Sequence, residues 1–84
     1  MKNYNNLKKQ IIYRSTHRGT KEMDLLLGKF VKENINSFSD LELIELDSII
    51  KLDDEILNKW YHEKNQINLV PNNKVSRLLK KFKL

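Results

Sequence analysis

At 84 residues, with 39% hydrophobic and 32% charged residues, the chain has the balance of a soluble globular domain whose single core is only just sufficient. The absence of cysteine excludes a disulfide framework, a thiolate nucleophile and a Cys-based zinc site, so stability must come from packing. The net charge of +5 conceals three blocks: eight Lys/Arg against two acids over residues 1–32, two against nine over 33–63, and six against none over 64–84. That acidic middle interrupts the continuous basic face of a nucleic-acid binder and favours a protein partner.

Helical periodicity dominates and no stretch alternates with period two. Tyr4, Leu7 and Ile11 predict a first helix over roughly residues 4–14. Met23, Leu26, Leu27 and Phe30 mark a second, from about Thr16–Gly19 to Lys32. Ser39-Asp40-Leu41-Glu42 is a capping box opening a third helix, whose inner face carries Leu43, Leu46, Ile49 and Ile50. Asp53-Asp54-Glu55 forms an N-cap and acidic first turn for a fourth, burying Ile56, Leu57 and Trp60, with Tyr61 at its edge.

Residues 65–71 read as a loop, and Pro71 with Asn72-Asn73 as the start of a last helix striped by Val75, Leu78, Leu79 and Phe82. Lys80, Lys81 and Lys83 lie near its C-terminus, where positive charge complements the helix dipole. The expected fold is all-α, a compact bundle of about five short helices forming one domain over residues 1–84.

No apolar run approaches the ~18 residues that span a bilayer, so direct membrane insertion is not expected. Met1–Asn6 has neither the apolar core of a signal peptide nor the Arg/Ser-rich character of an organelle presequence. The expected location is the bacterial cytoplasm, the alternative being a mature form already processed.

Enzymatic chemistry finds little support. His17 and His62 are the only histidines and belong to no metal-ligand spacing, so no metal site is expected. Gly19 and Gly28 form no dinucleotide fingerprint or P-loop, so the chain is expected to bind no cofactor stably. The acids read as solvated helix faces rather than general acid/base pairs.

The unusual segment runs from Tyr13 to Asp24. Tyr13, Arg14, His17, Arg18, Gly19, Lys21, Glu22 and Asp24 gather where the first helix gives way to the second. Glycine there lets another backbone approach closely, and Arg18 offers a planar fork to a carboxylate or phosphate, which suits docking. A local reading stands beside this one: Gly19 serves the turn, and Arg18 pairs with Glu22 at i,i+4 for about 0.2–0.5 kcal/mol. Arg before Glu is the weaker order for such a pair. Asp24 is either a rim contact or an acid in an early helical turn.

Arg18-Gly19-x-x-Glu22, followed by Asp24 and Leu25-Leu26-Leu27-Gly28-x-Phe30, resembles the signature of the succinate dehydrogenase assembly factor family. Tyr13-x-Ser15, Asp53-Asp54 and Leu57-x-x-Trp60 also fall where that family's pattern places them, so the resemblance covers about residues 4 to 82. Ile56 departs from it, standing where an acid is common, as does Tyr61, where an aliphatic residue is common. The resemblance implies a non-catalytic assembly factor that binds the flavoprotein subunit of succinate dehydrogenase and promotes its covalent flavinylation; the chain itself is expected to be a monomer. In the family this extends to the fumarate reductase flavoprotein. FAD would belong to the partner, and the contacts would be made around Arg18, Gly19 and Glu22. The competing reading is a small basic helical nucleic-acid-binding protein relying on Lys80, Lys81 and Lys83 more than on Glu22, with binding that weakens steeply with salt.

Overall fold

The computed structural model describes residues 4–63 and 69–83, with the side chain of Tyr4 outside the described set. Five helices, α1 (Tyr4–Thr16), α2 (Lys21–Asn34), α3 (Asp40–Ile50), α4 (Asp54–His62) and α5 (Lys74–Lys81), make an all-α bundle, with one 3₁₀ turn over Ile35–Ser37. α1 packs against α2 and α3, and α3 also packs against α5.

Hydroxyls set several of the boundaries. α1 runs two residues beyond the expected end because Ser15 and Thr16 each donate to the carbonyl of Ile12, at 2.8 and 3.0 Å. Ser15 is fully buried and satisfied by that bond. α2 begins at Lys21, and its N-cap is Thr20 rather than Gly19: the Thr20 backbone is extended and its hydroxyl accepts from the Met23 amide at 3.3 Å. The helix runs past Lys32 to Asn34, with Ile35 buried in the turn that follows.

The capping box of α3 forms as expected. Glu42 N donates to Ser39 Oγ at 3.2 Å, and Ser39 N donates to Glu42 Oε1 at 2.8 Å. α5 has a second box. Asn73 Oδ1 accepts from Ser76 N at 2.8 Å, while Asn73 N donates to Ser76 Oγ at 2.9 Å. Asp53 occupies the N-cap position of α4, but its side chain makes no capping bond. Of the predicted loop, residues 65–68 lie outside the described residues, and 69–71 are non-helical with Val70 buried.

One core gathers Ile11 of α1, Met23, Leu26, Leu27, Phe30 and Val31 of α2, and Leu43, Leu46, Ile49 and Ile50 of α3. Leu57 and Trp60 of α4, Val70, and Val75 and Leu79 of α5 complete it together with Ile35. Full burial of each large member contributes about 1.5–3 kcal/mol. Three expected core positions differ. Ile56 is only partly buried, Leu78 is 39% exposed, and Phe82 lies just beyond α5, its ring edge-on to Phe30 at 5.3 Å. Leu78 sits about 100° around the helix from Leu79, and Val75 with Leu79 already fills the contact that α5 makes with the core.

α4 adds only two buried side chains to this core and is fastened instead by polar ties at its ends. At its C-terminus the Lys80 ammonium donates to the carbonyl of Trp60 and, at 3.4 Å, to that of Glu63. The same ammonium lies 4.6 Å from the centre of the Trp60 ring. Burial, and secondarily the charge of Lys83, lowers the Lys80 pKa. Lys80 therefore serves the helix before its own, capping carbonyls that α4 leaves without partners.

Candidate functional site

The turn between α1 and α2 is built around Arg18. The main-chain amide of Arg18 donates to the Asp24 carboxylate, which closes the turn from the first coil of α2. Asp24 is thus an acid working within its own loop. The Arg18 guanidinium turns inward: Nε donates to Asp54 Oδ1 at 2.6 Å, one terminal nitrogen to the carbonyl of Ile50, and the other to the carbonyl of Leu52 at 2.6 Å.

Side-chain exposure is only 9% for Arg18 and 12% for Asp54, so this is an almost buried ion pair in which every guanidinium nitrogen makes a hydrogen bond. The dipoles agree with it. Arg18 stands at the C-terminus of α3, whose last carbonyls carry partial negative charge, and Asp54 is the first residue of α4, where amides carry partial positive charge.

The second oxygen of Asp54 accepts from the Thr20 amide at 2.9 Å. One carboxylate therefore grips the turn on both sides of Gly19. A Cβ added at Gly19 would lie 3.3 Å from Asp54 Oδ2, and no glycine has a positive φ. A side chain here would crowd the close carboxylate, although the backbone is not left-handed.

The outward side of the same turn is an open cleft of about 670 Å³, lined by Tyr13, Arg14, His17, Arg18 and Gly19 on one side and by residues 50–54 on the other. Tyr13, 62% exposed, stacks on His17 with ring centres 3.9 Å apart and planes within 15°. His17 Nδ1 donates to the Tyr13 carbonyl at 2.8 Å, which places the ring proton on that nitrogen and pins the imidazole to the helix end. Arg14 reaches Asp47 at 3.1 Å, and Lys51 holds the other oxygen of Asp47 at 2.9 Å.

Among the residues singled out in the sequence, Tyr13, Arg14, His17, Arg18 and Gly19 share this cleft. Lys21, Glu22 and Asp24 lie beside it on the first turn of α2. The local Arg18–Glu22 pair does not form, because Arg18 precedes the helix. Glu22 instead meets His62 Nε2 at 2.6 Å, with both side chains about half exposed. Sequence reasoning did not connect Asp54 or His62 to this region, although Asp53-Asp54 belongs to the pattern that carried the resemblance. Among the described residues, no group of three or more His, Cys, Asp or Glu is placed to hold a metal ion.

The sequence profile of the family described as "Flavinator of succinate dehydrogenase" matches residues 9–83. The chain belongs to this flavinator family. It is similar to the "Succinate dehydrogenase assembly factor 2, mitochondrial" of Arabidopsis thaliana, 39% identical over 57 residues, covering 68% of this chain and 30% of that protein. It is also similar to the "FAD assembly factor SdhE" of Acetobacter pasteurianus, 34% identical over 53 residues, covering 63% of the chain and 49% of that protein. The match to "Succinate dehydrogenase assembly factor 2, mitochondrial" of Scheffersomyces stipitis is 35% identical over 72 residues, covering 84% of the chain and 48% of that protein. The chain thus spans half or less of the length of these relatives. No solved structure matches it. Among the described residues, no helix is long and apolar enough to cross a membrane.

Proposed function

We propose that this chain binds the flavoprotein subunit of succinate dehydrogenase and promotes its covalent flavinylation with FAD, docking through the face that carries Tyr13, Arg14, His17, Gly19, Lys21 and Glu22. Arg18 and Asp24 shape that face from beneath. The observation that carries this reading is the inward lock of Arg18 onto Asp54, which fixes the turn while leaving Gly19 open and the Tyr13–His17 stack displayed beside a cleft. A rigid rim of two aromatic rings and a side-chain-free glycine loses little conformational entropy on docking, which favours a specific interface. The chain contributes surface rather than chemistry, and the flavin stays with the partner. The same face serves the fumarate reductase flavoprotein, and the chain acts as a monomeric, single-domain factor in the cytoplasm.

The test is co-expression with the flavoprotein subunit, scoring covalent flavin by fluorescence of the denatured subunit. Tyr13 is exposed and Glu22 makes only an exposed pair, so Tyr13→Ala and Glu22→Ala should fold normally. Both should lower covalent flavin at unchanged melting temperature. Wild-type flavin incorporation with both variants would rule out docking through this face.

A further inference from the structure

We propose that His62 is a positioning residue for Glu22, holding one carboxylate oxygen so that the other is presented to the flavoprotein; this rests on the docking reading above. Glu22 is the second residue of α2 and His62 the last of α4, yet Nε2 of the ring lies 2.6 Å from Glu22 Oε1. Glu22 Oε2 has no bond among the described residues, so the pair leaves one acceptor open at the surface.

The imidazole is itself supported. Tyr61 stands edge-on to it, with ring centres 5.1 Å apart and planes at 86°. The Tyr61 hydroxyl donates to the Phe82 carbonyl, and Lys83 lies 5.5 Å from the centre of its ring. Burial, with the nearby Glu22 charge second, raises the Tyr61 pKa, which keeps the phenol neutral and donating. A relay therefore runs from the residue after α5 through Tyr61 and His62 to Glu22. An unsupported glutamate side chain at an exposed helix start samples several rotamers, and orienting it during docking would cost affinity. Holding it in advance removes that cost.

The test measures binding of the full chain to purified flavoprotein subunit lacking covalent flavin. His62→Ala and His62→Phe should weaken binding roughly two- to fivefold, the range expected for one exposed charge-assisted bond. His62→Phe keeps a ring against Tyr61 but removes the donor. His62→Gln, whose amide nitrogen can donate from a similar position, should restore wild-type affinity. In a Glu22→Ala background, His62→Ala should have no further effect. Wild-type binding by His62→Ala or His62→Phe, or an undiminished loss in the Glu22→Ala background, overturns the positioning role. Wild-type binding by Glu22→Ala itself overturns the docking reading and this inference with it.

Discussion

Arg18 and Asp54 lie 36 positions apart in the chain and meet at 2.6 Å, so the glycine turn and the α3–α4 junction form one structural unit. The guanidinium that seemed available to a partner is committed inside the molecule. The carbonyl-rich, acidic patch it recognises belongs to its own chain.

Arg18→Ala would strand the Asp54 carboxylate and two carbonyls in a nearly dry site. Removing one partner of a buried ion pair typically costs about 3–5 kcal/mol. A denaturant titration should therefore show a loss of that order, with the melting temperature falling about 4–8 °C per kcal/mol in a domain of this size. A drop in flavinylation by Arg18→Ala alone would therefore not distinguish misfolding from lost docking. Arg18→Lys should recover only part of the stability, since an ammonium cannot reproduce the three-way fork.

Gly19 separates stability from docking. Gly19→Ala and Gly19→Arg add the same Cβ against Asp54 Oδ2, which the Thr20 amide holds while Arg18 holds the other oxygen of the carboxylate, so it cannot easily yield. Because φ is ordinary, the reduced freedom of the unfolded chain offsets part of the clash by about 0.4–1 kcal/mol. The two variants should have similar, modestly lowered melting temperatures. Flavinylation should survive Gly19→Ala and fail with Gly19→Arg, because only the long side chain fills the open face.

Acid should weaken the capping box of α3 and the ion pair of Glu42 with Lys74 of α5, 3.1 Å away. The Ser39 amide, and then Lys74, hold the Glu42 pKa below its ordinary 4.5. A carboxylate with a depressed folded pKa contributes stability that is fully present above 4.5 and lost as pH falls through the lower, folded value. Thermal melts from pH 6 downward should show an acid-labile increment that disappears in Glu42→Gln. An unchanged pH profile in that variant would contradict the assignment.

Lys80→Met should remove the cap from α4 while keeping the aliphatic stem. A hydrogen bond to a charged group contributes about 1.5–3 kcal/mol, which sets the expected loss. Trp60 is the only tryptophan, so intrinsic fluorescence should change as the ammonium leaves its ring. An unaltered emission spectrum would place Lys80 elsewhere in solution.

Features closed within one turn of chain were legible in the sequence. Ser39 and Glu42 stand three residues apart, so their residue types alone announce the box; Pro71 with Asn72-Asn73 marked the start of α5, but not its Asn73–Ser76 box. The apolar spacing of α2 and α3 likewise named their buried faces. Arg18–Asp54, Glu22–His62 and Lys80–Trp60 were not legible, because each joins elements 20 to 40 positions apart. A charge's neighbours at that range depend on how the helices pack, and periodicity says nothing about that. The Arg-Gly turn was therefore visible as a place, while the direction of its arginine was not.

The fastening of α4 has a consequence for motion. This nine-residue helix is tied by Asp54 at its start, and by His62 and Lys80 at its end, to the α1–α2 turn, to α2 and to α5. Elements held by a few terminal bonds open at lower free energy than elements sunk in a core. Loosening the Arg18 turn should therefore shorten the protection of the α4 amides against solvent exchange. A partner clamping that turn should lengthen it, so that Trp60, well removed in sequence from the docking rim, reports on its occupancy.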